Sequence, residues 1–430
     1  MSRYGETSET PHDIPRSEAL NGLRILELAD QKGEFCGKLA ADMGADVIKV
    51  EQPGGDETRR IGPFVDDVPD PNKSLFFWYY NTSKRSITLN LEAKGGRSIF
   101  RQLVLKADIL VETYPPGRLD DLGLGYAALS KINPRLIMVS ITPFGQSGPY
   151  RNFKTSDLVS MAMGGPVFSC GYDDIPNAPP IRPDGGHAYL MGCYHGFSGM
   201  LLALYHCDLT GQGQHVDCSI HEACSCSTEA AIPFYVFHNI IVQRHTGRHA
   251  SMRPNERSQY LCRDGQYVNI MGLPRTRKNW SELKSWLESE VSFGDLRNKS
   301  FEDMRTLRFA GADNPEVQHY MDILGTFIAN HTAEEIYHGA QQRGVPCGIV
   351  RSPEETLSDP HLRDRGFFVE VEHDEIGRRV TYPGAPFVCS RMAYRVRRAP
   401  KVGEHNLEIY EHELGFSKDK IVTLAEAGIV

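Results

Sequence analysis

The sequence predicts an α/β protein whose core is a doubly wound, largely parallel sheet. Three observations predict it. Short apolar strands alternate with helices at the spacing of strand–helix–strand units. The predicted strand ends at Glu51, Glu112 and Ile141 each run into loops rich in Pro and Gly. A change of composition after Arg257 marks off a second, smaller region.

Each element has its own signal. Leu23–Leu28 alternates like a strand, Lys38–Met43 reads as a helix ended by Gly44, and Asp46–Glu51 is the second strand. The turn Gly44-Ala45 is not a GxGxxG fingerprint, so dinucleotide binding has no direct support. Strands at Ser86–Leu91, Asp108–Glu112 and Leu136–Ile141 alternate with helices at Glu92–Lys106 and Tyr126–Ile132. Leu190–Tyr205 reads as a buried helix, His215–Ile220 as a strand and Cys224–Ile240 as a helix. The domain boundaries expected are 20–240, 258–345 for a small domain with helices at Asn279–Ser289 and Pro315–Asn330, and 346–430. The tail from Phe368 has strand alternation on either side of the turn Tyr382–Pro386. The aromatic run Phe76, Phe77, Trp78 and Tyr79 reads as core more than as pocket lining.

Composition narrows the function. With 40% hydrophobic and 24% charged residues the chain is an ordinary globular protein, and a net charge of −8 argues against a nucleic-acid surface. No apolar run approaches the ~20 residues that cross a bilayer. Met1–Glu18 is polar with no apolar signal core, which suits a flexible lead-in to a cytoplasmic protein. His206, Cys207, His215, Cys218, His221, Cys224 and Cys226 lie close in sequence, but without CxxC or HxxxH spacing no metal site is expected.

The chemistry gathers at Pro179–Leu190, a Pro- and Gly-rich turn that opens the helix and offers Asp184, His187 and Tyr189. Here the motifs become informative. Gly44–Pro53, Asn81–Ile87, Pro116-Gly117-Arg118-Leu119, Phe144–Tyr150, Thr210–Gln214 and Gly403-Glu404-His405 occur in that order. Together they resemble the family III CoA-transferases, the CaiB/BaiF or formyl-CoA transferase type, from about Leu20 onward. The resemblance implies a Rossmann-like large domain built from both chain ends, a smaller α+β domain from the middle, and two chains interlocked as a dimer. It implies a coenzyme A thioester as substrate, with no permanently bound cofactor and no metal. By position it carries CoA contacts onto Gln31, Lys32, Leu89, Asn90, Thr113, Tyr114, Pro115, Arg118 and Lys154. The cations suit phosphates and Tyr114 suits an adenine. A basic residue often follows the second strand in the family; Gln52 stands there. The glycine-rich substrate loop of formyl-CoA transferases is absent from Arg248–Gln259, where Arg248 and Arg253 are candidates for a dicarboxylate clamp.

One departure matters most. Family transferases use an aspartate at the start of this helix, whose carboxylate exchanges CoA through an anhydride and a thioester. Matching Gly199–Leu204 to the family segment sets Tyr189 at that position, so no catalytic residue is assigned. Three expectations follow. The chain is a non-nucleophilic subunit whose paralogous partner brings the aspartate, an arrangement like that of a succinyl-CoA:benzylsuccinate CoA-transferase. Alternatively it is self-sufficient through Asp184. Or it is an acyl-CoA isomerase, lyase or CoA-binding protein using His187 and Tyr189 as acid and base.

Overall fold

A computed structural model describes residues 17–228, 231–246, 248–251, 256–290 and 294–430. The lead-in before residue 17, and Arg253, lie outside the described residues. Six parallel strands form the main sheet: β1 (Arg24–Leu28), β2 (Asp46–Glu51), β3 (Arg85–Thr88), β4 (Ile109–Glu112), β5 (Ile137–Thr142) and β6 (His215–Ser219). Their spatial order is β3-β2-β1-β4-β5-β6. This is a Rossmann-like order that reverses between β1 and β4, and open α/β sheets bind ligands at such a reversal, beyond the carboxyl ends of the strands.

The strands are buried on both faces, which is why they read as apolar runs. Leu26, Ile48, Val50, Leu110 and Met138 pack with Phe100 and Leu103 of a covering helix in one continuous core. Charges are buried here too. Lys49 lies 2.8 Å from Glu34 and 3.5 Å from Glu27, and Lys84 lies 2.8 Å from Glu27. Arg59 clasps Glu51 at 2.6 Å while its guanidinium lies on the Phe77 ring. These pairs tie the helix α1 (Glu34–Asp42) and the turn after β2 to the sheet.

The aromatic run is a short helix, α2 (Leu75–Tyr80), with Phe77 and Trp78 buried. Farther along, α3 (Lys94–Val104) covers the sheet, and α4 (Asp157–Met163), which carried no clear sequence signal, precedes the long α5 (His187–Thr210). Two expectations need correction. The helix expected over Cys224–Ile240 is described as two pieces, Ile220–Cys226 and Ala231–His238. And α5 is buried on one face only. Its small side sets Gly192, Gly196 and Ala203 against the sheet; a Cβ on Gly196 would come within 2.7 Å of Ile141. Its other side exposes Tyr194, Leu202, Tyr205 and Leu209, the last three by about two-thirds each (70%, 67% and 69%). A helix that is apolar all round gave no sign of which side stays open.

The chain divides into two compact units. The first holds the chain up to Gly164, Asp184–Ser227 and Pro360–Val430. Its C-terminal part joins β3, where the Asn406 side-chain oxygen accepts the Thr88 N–H and the Tyr410 hydroxyl donates to the Thr88 carbonyl at 2.6 Å. A hairpin of Phe368–His373 and Arg378–Pro383 belongs to it, and its turn falls between His373 and Arg378, not at Tyr382–Pro386. Asp374–Gly377 supplies that turn, and Pro383 closes the second strand.

The second unit takes Gly165–Pro183 and Thr228–Asp359. An antiparallel sheet of Gln259–Leu261, Tyr267–Ile270 and Cys347–Ile349 packs with four helices between Arg277 and Gln342. Its separate core centres on Trp280, Tyr320, Leu324 and Phe327.

Candidate active site

A cavity of about 870 Å³ opens in the first unit at the carboxyl ends of the strands. The loop after β1 supplies Asp30, Gln31 and Lys32, and the loop after β4 supplies Thr113, Tyr114, Pro115 and Pro116. These are the two strands between which the sheet order reverses. Gln52, Asp56, Glu57 and Arg60 follow β2, Leu89 and Leu91 follow β3, and Arg151–Thr155 follow β5. Tyr189, in the first turn of α5, completes the lining.

The two central loops are fixed to each other. The Thr113 hydroxyl accepts the Asp30 N–H at 3.0 Å and donates to Asp30 Oδ1 at 3.0 Å. The same Oδ1 accepts the Lys32 N–H at 2.9 Å, and the Lys32 ammonium pairs with Oδ2. The Asp30 carbonyl accepts the N–H groups of Gly33 and Glu34, which starts α1. Gly33 has to be glycine: a Cβ would meet Thr113 Cγ2 at 2.5 Å. On the other side, Glu112 Oε2 accepts the Tyr114 N–H at 2.7 Å.

Of the residues singled out from the sequence, Gln31, Lys32, Leu89, Thr113, Tyr114, Pro115, Lys154 and Tyr189 line this one cavity. Asn90, Arg118, Asp184 and His187 are not in its lining. Asn90 holds the Glu92 N–H and the Gly428 carbonyl, and Arg118 pairs with Glu92. Asp184 is exposed, and His187 is half-buried as the first residue of α5. Sequence reasoning missed Arg60 and Arg151, both exposed cations of the lining. No spacing rule connects them to the strand ends; the turns after β2 and β5 bring them in. Arg60 is a cation eight positions beyond Gln52.

Tyr189 is held from behind by α4. Asp157 Oδ1 accepts the Ala188 N–H at 2.8 Å. Burial raises the phenol above its ordinary value, and the negative charges of Asp157 and Asp30 add to this. At neutral pH it is therefore a neutral hydrogen-bond donor and not an oxyanion. Asp30 is a carboxylate of the same cavity, but its oxygens serve the Lys32 ammonium, a backbone N–H and the Thr113 hydroxyl. A carboxylate so fully hydrogen-bonded is a poor nucleophile. Among the described residues, no three His, Cys, Asp or Glu side chains gather as a metal site.

A cavity of this size, lined by cations and two apolar strand ends at the reversal of a Rossmann-like sheet, is what an acyl-nucleotide thioester needs. Comparison with known proteins agrees. The chain belongs to CoA-transferase family III, whose family model matches residues 20–406. It is an enzyme of the class that moves coenzyme A between an acyl-CoA and an acid. It is 33% identical to the succinyl-CoA:(R)-benzylsuccinate CoA-transferase subunit BbsE of Thauera aromatica, over 95% of this chain and 97% of that one. It is 29% identical to the succinyl-CoA–L-malate CoA-transferase beta subunit of Chloroflexus aurantiacus, over 96% and 98%. A CaiB/BaiF family protein from Brucella suis has the same fold, with a TM-score of 0.77 and 26% identity over 92% of this chain and 99% of that one. No described helix is long and apolar enough to cross a membrane.

Proposed function

We propose that this chain is one subunit of a heteromeric CoA-transferase that moves CoA from a donor such as succinyl-CoA to a carboxylic acid. In this reading a paralogous subunit, interlocked with it, carries the nucleophilic aspartate. The observation that carries the reading is the neutral phenol of Tyr189 in the cavity wall at the start of α5. CoA exchange needs a carboxylate there. The carboxylate attacks the thioester carbonyl and expels the thiolate, leaving a mixed anhydride. The thiolate then attacks the aspartyl carbonyl, which releases the donor acid and leaves an aspartyl thioester. The acceptor carboxylate repeats the sequence in reverse and leaves as its CoA thioester. A phenol gives an aryl ester at best and breaks the cycle.

Two further facts favour this reading. Two relatives that span nearly the whole chain are themselves named as subunits. The open face of α5, with Tyr194, Leu202, Tyr205 and Leu209, is the kind of apolar surface that a second chain covers. Within the cavity, Lys32, Arg60, Arg151 and Lys154 would meet the phosphates and Tyr114 the adenine, while Gln31, Leu89, Thr113 and Pro115 shape the walls. Asn90 and Arg118 keep the supporting position described above.

The test is to assay the chain alone and together with an aspartate-bearing paralogue, following CoA exchange from succinyl-CoA to added carboxylic acids. Turnover is expected only for the pair, with hydroxylamine trapping an acyl adduct on the paralogue. Enzyme-like exchange by the chain alone would sink the reading.

A further inference from the structure

Three residues stand abreast across neighbouring strands at the carboxyl edge of the sheet. Glu112 of β4 faces Ser140 of β5, and Ser140 faces Asp217 of β6. Glu112 is 3% exposed and Ser140 is fully buried. None of the three lines the cavity, and each end of the row holds a loop that does or that leads to one. Glu112 Oε2 accepts the N–H of Tyr114, in the wall loop 113–116. Both Asp217 oxygens accept the N–H of Gln146 at 3.0 Å, in the loop that runs from Pro143 to the wall residues 151–155. Beside Glu112, the Ser140 hydroxyl meets His215 Nε2 at 2.9 Å. His215 stacks on Tyr126 and is exposed.

The geometry points to Glu112 as a positioning residue: its ionisation sets how firmly the Tyr114 loop is held, and so how tightly coenzyme A binds. This deepens the reading above and rests on the cavity being the CoA site. The carboxylate form suits the Tyr114 N–H that donates to it at 2.7 Å, since a hydrogen bond to a charged acceptor is roughly twice as strong as one to a neutral acceptor. Other charges act from each neighbouring element. Asp217 on β6 opposes ionisation and Lys32, from the loop after β1, favours it. His215 on β6 bonds to Ser140, the residue abreast of Glu112 on the next strand. Burial outweighs the favourable contacts and pushes the Glu112 carboxyl up to about 7, so both forms are present near neutrality. The loop is therefore held more firmly above neutrality than below it.

Coenzyme A itself is the probe, titrated by calorimetry into the full chain with whatever subunit co-purifies, from pH about 5.5 to about 8.5. Wild-type affinity is expected to rise about five-fold across this window, the ratio that separates a charged from a neutral hydrogen bond. Glu112→Gln, which accepts the same N–H without titrating, should show no such rise beyond the titration of the ligand's own phosphate, and Glu112→Asp should recover part of it. Ser140→Ala removes the neighbouring hydroxyl, which favours the anion, and should move the midpoint upward, which keeps the idea testable if Glu112→Gln fails to fold. A rise retained in Glu112→Gln, or no rise in wild type, overturns the role of Glu112 and leaves the CoA cavity intact. No binding of coenzyme A to wild type at any pH overturns the cavity reading, and this role with it.

Discussion

In the proposed function the chemistry turns on Tyr189 more than on any other residue. Its phenol lines the cavity beside Asp30, backed by Asp157, and stays protonated at neutral pH. If only the carboxylate is missing, supplying one should restore the reaction. Tyr189→Asp is expected to make the chain form a hydroxylamine-sensitive acyl adduct with an acyl-CoA by itself, read by intact-protein mass spectrometry; Tyr189→Phe should form none. No adduct on a folded Tyr189→Asp would mean that the cavity does not present a thioester to this position. Lys154 is an exposed cation of the wall, so the phosphate contact proposed for it would be screened by water. Lys154→Ala should weaken coenzyme A binding by roughly five-fold at low salt and by less at high salt. A loss independent of salt would argue for a packing role instead.

Elements matter at the next scale, because loops become a site only when the strands hold them. Gly33 lets the turn after β1 lie against Thr113, and Gly33→Ala brings a methyl group to within 2.5 Å of Thr113 Cγ2. The expected cost is about 1–3 kcal/mol in urea unfolding, with coenzyme A affinity falling as well. The buried Lys49 pairs with Glu34 and Glu27, and Lys49→Met would leave the buried Glu34 without its ammonium while Glu27 keeps Lys84. A loss of about 3–5 kcal/mol is expected, the range for breaking a buried pair from one side. Glu112 gives a pH signature at this scale. Its value is raised from 4.5 to about 7, so the folded chain binds the proton more tightly than the unfolded one. Its contribution to stability is therefore full below the unfolded value of 4.5 and is lost as pH rises to about 7. The loss amounts to at most about 3–4 kcal/mol. Glu112→Gln does not titrate, so it should gain on wild type between acid and mildly alkaline pH; a constant difference in unfolding free energy would contradict this.

For the whole molecule, the open face of α5 is the feature that looks outward. Leu202 is 70% exposed and Leu209 69% on a helix whose other face is packed with glycine and alanine. Leu202→Asp should leave the circular-dichroism spectrum unchanged and weaken association with a partner subunit, measured by analytical ultracentrifugation. Unchanged association would free this face from any role in assembly.

What the sequence by itself determined, and what waited for tertiary structure, divides along a physical line. Alternation and glycine punctuation are local, so β2 could be read to its last residue and the strands of the sheet to within a few residues. Ordered motifs were enough to reach the family, and they pointed to Tyr189, which the structure places in the cavity wall. Long-range order was not legible. The strand order β3-β2-β1-β4-β5-β6, which turns the loops of Gln31 and Thr113 toward one cavity, arises from crossovers that no local pattern encodes. For the same reason Arg60 and Arg151 joined the wall unannounced, while Asn90, Arg118, Asp184 and His187, credible by position, fell outside it. The turn of the C-terminal hairpin was misread because proline and glycine mark the end of a strand as readily as the bend between two. The shift of Glu112 also belongs to the fold alone. A glutamate at the end of an apolar strand is common; one buried abreast of Ser140 and Asp217 exists only once three strands are in register.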